Sequence, residues 1–73
     1  MDKLFYWRII EEYLKENKDA SLKDISNYVN RKLNTFVSDG TIRITLRIYA
    51  ERGKVIVKPK EIKNRSLIYN LNN

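Results

Sequence analysis

The segment from residue 37 to residue 53, V-S-D-G-T-I-R-I-T-L-R-I-Y-A-E-R-G, constrains the fold most, because it carries the signals for both ends of one helix. Ser38 is a favourable N-cap, since its hydroxyl can accept hydrogen bonds from the free amides of the first turn. Gly53 can adopt the left-handed conformation that ends a helix. Ile42, Leu46 and Tyr49 recur at helical spacing. The segment is therefore predicted to be a helix docked by one apolar stripe.

The side of this helix away from the stripe is polar and basic. At about 100° per residue, it holds Gly40, Arg43, Ile44, Arg47 and Glu51. Two arginines one turn apart on the free face of a docked helix favour a role in recognition. The competing interpretation of the two arginines is an ordinary solvated helix face.

The composition excludes several kinds of chemistry. A chain of 73 residues is expected to form a single domain, residues 1–73, with a small core. It has no cysteine and no histidine, which removes disulfides, thiolate metal sites and the commonest general base. Its two glycines do not form a phosphate-binding loop. The chain is predicted not to be an enzyme, and no cofactor, metal site or small-molecule ligand is expected.

No apolar run reaches the length of a membrane span, and the N-terminus lacks the pattern of a secretory signal. We therefore expect a cytoplasmic protein without a membrane partner. The net charge of +6 is unevenly distributed, since residues 1–30 sum to −1 and residues 31–73 sum to +7. This uneven distribution of charge favours a polyanionic partner. The alternative is a lysine-rich surface that only maintains solubility.

A first helix is predicted over residues 3–17, with Tyr6, Ile10, Tyr13 and Leu14 on its apolar side. Leu4, Phe5 and Trp7 widen this apolar side. One interpretation is that a small domain uses all its aromatic side chains to fill its core. The other is a homodimer contact built on Phe5 and Trp7, because exposed aromatic patches mark interfaces.

A second helix is predicted to begin at Ser21, which with Asp24 forms a variant of the capping box. It is expected to extend through Arg31 and Lys32, followed by a turn at residues 34–36 in which Phe36 seals against the core. The polar segment 17–20 before this helix is predicted to be a break without regular structure.

The C-terminal segment has the pattern of a hairpin. Residues 54–58 are β-branched and strand-like, Pro59 is expected to end the strand, and residues 66–71 form the returning strand. Residues 60–65 are predicted to be a charged loop with Asn64 as the turn residue. The basic residues of this hairpin are Lys58, Lys60, Lys63 and Arg65.

The order of three helices followed by a hairpin, together with V-S-x-x-T-[VI]-R-x-x-L…G in the third helix, resembles the winged helix-turn-helix transcription regulators. The resemblance implies an α+β fold, a small winged-helix domain of three helices followed by a β-hairpin wing. It implies a recognition helix at residues 38–52 in the major groove and a basic wing at residues 58–65 on the backbone or in the minor groove. The residues that it places at DNA are Ser38, Gly40, Thr41, Arg43, Ile44, Arg47, Lys58, Lys60, Lys63, Asn64 and Arg65.

The sequence departs from this pattern at Asp39, an acidic residue at the groove entrance, and at Ile44 and Ile48, which are expected on the outer face. Ile44 can meet a thymine methyl group, or both isoleucines can meet protein. The leading hypothesis is a sequence-specific regulator of double-stranded DNA, a homodimeric repressor that acts by occupying its operator. The alternatives are a winged-helix module that binds protein, and an architectural or replication-accessory protein that binds duplexes without sequence preference.

Overall fold

The computed structural model describes residues 3–61 and 64–72, and it describes side chains for residues 5–59 and 67–72. Within these ranges the chain forms three helices and a three-stranded antiparallel sheet, which confirms the α+β class. The elements in chain order are α1 (Lys3–Glu16), β1 (Ala20–Ser21), α2 (Leu22–Leu33), α3 (Asp39–Glu51), β2 (Val55–Glu61) and β3 (Asn64–Leu71).

The core lies between the three helices and one face of the sheet. Its fully buried side chains include Ile10 of α1, Ile25 and Val29 of α2, and Ile42 and Leu46 of α3. The predicted stripe of α3 is therefore buried. Of the predicted stripe of α1, Ile10 and Leu14 are buried, whereas Tyr6 and Tyr13 are half-buried against the core.

Trp7 belongs to the core, and its assignment to a dimer contact is wrong. Its side chain is only 5% exposed. Its ring stacks on that of Tyr49 in α3, with centroids 4.2 Å apart and an interplanar angle of 8°. On the other side, the Arg52 guanidinium lies 5.2 Å from the centre of the Tyr49 ring. Stacking against α3 buries Trp7 within this chain, whereas Phe5 remains 42% exposed.

Polar side chains fix the turn between α2 and α3. The buried hydroxyl of Ser26 donates to Asp39 Oδ1 at 2.7 Å. Asn30 Oδ1 accepts from the backbone amide of Val37, and the Asn30 amide donates to Ser26 Oγ at 3.4 Å. Asn34 adopts the left-handed conformation that ends α2. We call Ser26, Asn30 and Asp39 the polar lock, because they hold the start of α3 against α2.

Phe36 does not seal this turn, contrary to the sequence prediction, because its side chain is 83% exposed. The neighbouring Val37 is buried instead, at 7% exposure. The side chain of Val37 supplies the apolar contact of the turn, so the core does not require Phe36.

The sheet has the order β1-β3-β2, so β3 is central. The sequence predicts an irregular break at residues 17–20, but Ala20 is buried and pairs with Tyr69 in β1. Ser21, the predicted N-cap of α2, also belongs to β1 and pairs with Ile68. Two residues are too few for a periodic signal, and only the pairing with β3 makes this segment a strand. Next to it, Asp19 and Asn70 exchange hydrogen bonds of 2.9 and 3.0 Å.

The hairpin is longer than predicted, because β2 continues through Pro59 and pairs it with Leu67. β2 is an edge strand, where a residue without an amide proton is tolerated. Asn64, the predicted turn residue, instead begins β3 and pairs with Glu61 across an irregularity between Pro59 and Glu61. Residues 62 and 63 lie outside the described ranges, and the predicted wing contact of Lys63 therefore lies outside them as well.

Candidate nucleic-acid interface

The free face of α3 is exposed and carries two arginines one turn apart. Ile42, Thr45, Leu46 and Tyr49 are buried against the rest of the molecule. The opposite side exposes Gly40, Arg43, Ile44, Arg47 and Glu51. The sequence prediction of this face is confirmed, with two corrections to the flanks of the helix.

The first correction is Ile48, which was expected on the outer face. It is half-buried and packs against the core, so it belongs to the flank of the docked side. The second is Thr45, which the apolar stripe did not include. It is fully buried because its hydroxyl donates to the Thr41 carbonyl at 2.9 Å, and this bond satisfies the one polar group of the side chain. Its methyl group is then free to pack like that of a valine.

The N-terminus of α3 is capped by Ser38. Ser38 Oγ accepts from the Thr41 amide at 3.2 Å, and the two hydroxyls lie 2.9 Å apart. A side chain at Gly40 would meet only Ser38 Oγ, at 3.9 Å, which is an ordinary contact. Packing within the chain therefore does not require a glycine at this position. The missing side chain leaves the first turn open to close approach by a partner.

The polar lock explains why an acidic residue, Asp39, stands at the start of α3. Its carboxylate accepts from Ser26 at the junction of α2 and α3, so the negative charge has a structural function at the helix N-terminus. The departure from the expected pattern at this position therefore has a physical explanation.

Arg43 and Arg47 both lie on the side of α3 that faces the hairpin. They line a common cavity with Val57 and Leu67 of the hairpin. Burial raises the pKa of the Tyr69 hydroxyl, and the nearby positive charge of Arg43 opposes this rise. Arg47 Nε lies 3.4 Å from Glu51 Oε1 in an ion pair whose side chains are 81% and 68% exposed. Such an exposed pair is weak and leaves the Arg47 guanidinium accessible.

The hairpin does not bring all its basic residues to this side. Lys58 pairs with Ile68, whereas the adjacent Val57 pairs with the buried Tyr69. Since side chains alternate across a strand, Lys58 lies on the face of the hairpin away from Arg43 and Arg47. The backbones of Lys60 and Arg65 lie in β2 and β3, near the end of the hairpin. Their side chains are outside the described set.

No group of three or more acidic, histidine or cysteine side chains in the described part of the chain is arranged to hold a metal ion. Within the same residues, no helix has both the length and the apolar character needed to cross a bilayer. Comparison of this chain with protein-family models, with curated proteins and with solved structures finds no match.

Proposed function

We propose that this protein is a winged-helix regulator that binds double-stranded DNA sequence-specifically and represses by occupying its operator. The observation that carries the proposal is the free face of α3, on which Arg43 and Arg47 stand one turn apart, opposite a fully buried stripe. The element order, with β1 between α1 and α2 and a hairpin after α3, adds support because it resembles the winged-helix layout.

The polar lock supports the proposal from the fold. It joins the start of α3 to α2 by part-buried hydrogen bonds in addition to the apolar contacts between the helices. A helix that enters the major groove must be held rigidly, because base contacts are directional. A lock of this kind provides such rigidity without using the exposed face of α3.

In this proposal, α3 and the hairpin make different kinds of contact with the DNA. Either Arg43 or Arg47 can donate a forked pair of hydrogen bonds to O6 and N7 of guanine. Ser38 and Thr41 lie at the helix N-terminus, where free amides favour a phosphate. The basic hairpin is expected to contact phosphates and to release counterions, which gives affinity without sequence information. No atom in this scheme undergoes covalent chemistry, so the protein is proposed to be a non-enzyme that acts in the cytoplasm, at the DNA.

The decisive experiment begins with selection of duplexes from a random library by the full-length protein. Fluorescence anisotropy then compares the selected duplex with a scrambled one at three salt concentrations. We expect the selected duplex to bind at least about tenfold more tightly, corresponding to one good base contact. Arg43→Ala should lose most of this preference.

The matched control is Arg31→Ala, which removes the same charge from an exposed position on α2 beside Tyr28 and Lys32. It should retain the preference for the selected duplex. Equal binding of all duplexes would favour an architectural protein, and no binding at low salt would exclude both DNA functions.

A further inference from the structure

A groove runs between α3 and the hairpin and is not explained by contact with DNA. We call it the α3–hairpin groove. Its volume is about 410 Å³, and its lining residues are Arg43, Arg47, Ala50, Glu51, Val57, Leu67 and Tyr69.

The floor of the α3–hairpin groove is apolar. Val57 and Leu67 are 38% and 41% exposed, although they lie on the face of the hairpin that also carries buried Tyr69. The core-facing side of the sheet therefore continues beyond the core as an uncovered apolar surface, with Ala50 of α3 opposite. Concave apolar surfaces with a few polar groups at the edge are typical of binding sites.

The rim of the groove is basic on the α3 side. Arg43 has no carboxylate within ion-pair distance among the described side chains, and Arg47 has only its exposed pair with Glu51. A ligand that fits must therefore combine apolar groups with negative charge. The charge of +7 over residues 31–73 strengthens this requirement, because it attracts an acidic ligand to this half of the molecule.

The charge and polarity of the groove decide between its potential occupants. A phosphate placed over Val57 and Leu67 would lose water without gaining a donor from them. A second copy of this chain carries the same net charge of +6 and would meet repulsion at a basic rim. An acidic peptide with apolar side chains has neither disadvantage.

We propose that the α3–hairpin groove binds an acidic segment of a partner protein, with an apolar side chain on Val57 and Leu67 and carboxylates on Arg43 and Arg47. The volume accommodates a large side chain such as leucine or phenylalanine. Because both arginines belong to the proposed DNA-binding face of α3, the segment would displace DNA and release the operator. This displacement rests on the proposed DNA-binding function, whereas the binding of the peptide does not.

The test uses fluorescein-labelled peptides in which a central pair of leucines, isoleucines or phenylalanines is flanked by glutamates. Anisotropy measures their binding to the full-length protein. At least one of them should bind saturably, and versions with central serines or with flanking lysines should not. Failure of the whole glutamate-flanked set would overturn the proposal.

Two variants of β2 form a matched pair for this experiment. Val57→Ser removes part of the floor and should weaken peptide binding about tenfold, by loss of one buried side-chain contact. Ile56→Ser alters a neighbour with the same 38% exposure on the opposite face and should leave the affinity unchanged. Equal effects of the two variants, with circular dichroism showing both folded, would place the peptide elsewhere and overturn the proposal.

A second measurement adds the peptide to the complex with the selected duplex. We expect the peptide to displace the duplex from the wild-type protein. At the same peptide concentration, it should not displace the duplex from Val57→Ser. Formation of a ternary complex would overturn the competitive mechanism. If the peptide binds and no duplex binds under any condition, the DNA-binding function is contradicted and peptide binding in the groove is supported. If a duplex binds and no peptide does, peptide binding is contradicted and the DNA-binding function is not.

Discussion

Ile44 is the residue on the free face of α3 that neither packing nor charge explains. It is 50% exposed, between Gly40 one turn before it and Arg47 three residues after it. In a major groove its apolar counterpart is the thymine C5-methyl group, which no hydrogen-bonding side chain reads as well. We therefore expect a thymine to be preferred at the base pair that faces Ile44.

This preference is tested by replacing each thymine of the selected duplex singly with uracil, which removes only the methyl group. One position should lose about fourfold in affinity, the value of one buried methyl-sized group. The Ile44→Ala variant should bind the thymine and uracil versions of that position equally. If no position responds to uracil, or if the variant keeps the full discrimination, Ile44 does not read the methyl group.

Tyr69 gives a prediction for alkaline stability. Burial raises the pKa of its hydroxyl above the usual value, mainly because the charged form is poorly solvated in the folded state. The unfolded chain then releases this proton at a lower pH than the folded one. The contribution of Tyr69 to the free energy of unfolding is complete below the unfolded pKa and is lost as pH rises through the folded pKa.

Urea unfolding of wild type and of Tyr69→Phe, followed from pH 8 to pH 11, tests this linkage. Above about pH 10, the ordinary tyrosine value, the stability of wild type should fall more steeply than that of the variant. Parallel curves would show that Tyr69 titrates alike in the folded and unfolded chains. The other four tyrosines are present in both proteins and therefore cancel in the comparison.

At the scale of elements, the polar lock is expected to hold α3 in place. Asn30→Ala leaves the amide of buried Val37 without its side-chain acceptor, which should cost about 1–3 kcal/mol of the free energy of unfolding. The control is Asn27→Ala, at an exposed position three residues earlier on α2, where the change should be within about 0.5 kcal/mol. Chemical denaturation measures both, and equal losses would show that the lock contributes nothing specific.

Helix α3 and the hairpin are expected to contribute to DNA binding in different ways. Arg43→Ala removes a directional base contact, so the affinities for selected and scrambled duplexes should converge. Lys60→Ala is expected to remove a phosphate contact of the hairpin, so both affinities should fall together and the salt slope should decrease by about one unit. Isotherms at three salt concentrations measure both effects. If Lys60→Ala is the variant that relaxes specificity, the hairpin reads the sequence and the assignment of α3 is wrong.

The helices were predictable because their caps and stripes are local. Ser21 and Ser38 both cap the helices that the sequence assigns to them, and the stripe of α3 is buried as expected. Two of the errors concern partners distant in sequence. Trp7 stacks on Tyr49, and β1 pairs with β3. The local sequence pattern specifies neither contact.

In the candidate site, too, the features set by local sequence were predictable, and those set by distant strand pairing were not. The exposure of Arg43, Ile44 and Arg47 follows from helical periodicity alone. The α3–hairpin groove does not, because it depends on the register that places Val57 opposite Tyr69. It also depends on β2 continuing to Pro59, which pairs with Leu67 at an edge position where proline is tolerated.

At the scale of the whole molecule, the proposed regulator has one α3 and therefore one reading surface per chain. A single helix reads a short site, and a two-fold dimer would double it, with half-sites one helical turn or a multiple of it apart. Phe5 is the remaining candidate for the contact on α1. It is 42% exposed and packs edge-to-face against Tyr6, at 5.8 Å between ring centroids.

We expect sedimentation of the full-length protein at tens of micromolar to show a dimer, and Phe5→Ser to shift it to a monomer, because the contact loses most of its apolar area. Phe36→Ser is the matched control, since it removes an even more exposed phenylalanine from the α2–α3 turn. It should remain dimeric. A monomeric wild type would contradict the dimer itself. A dimer that survives Phe5→Ser and dissociates with Phe36→Ser would move the contact from α1 to the turn before α3, where two copies would obstruct each other's approach to the major groove.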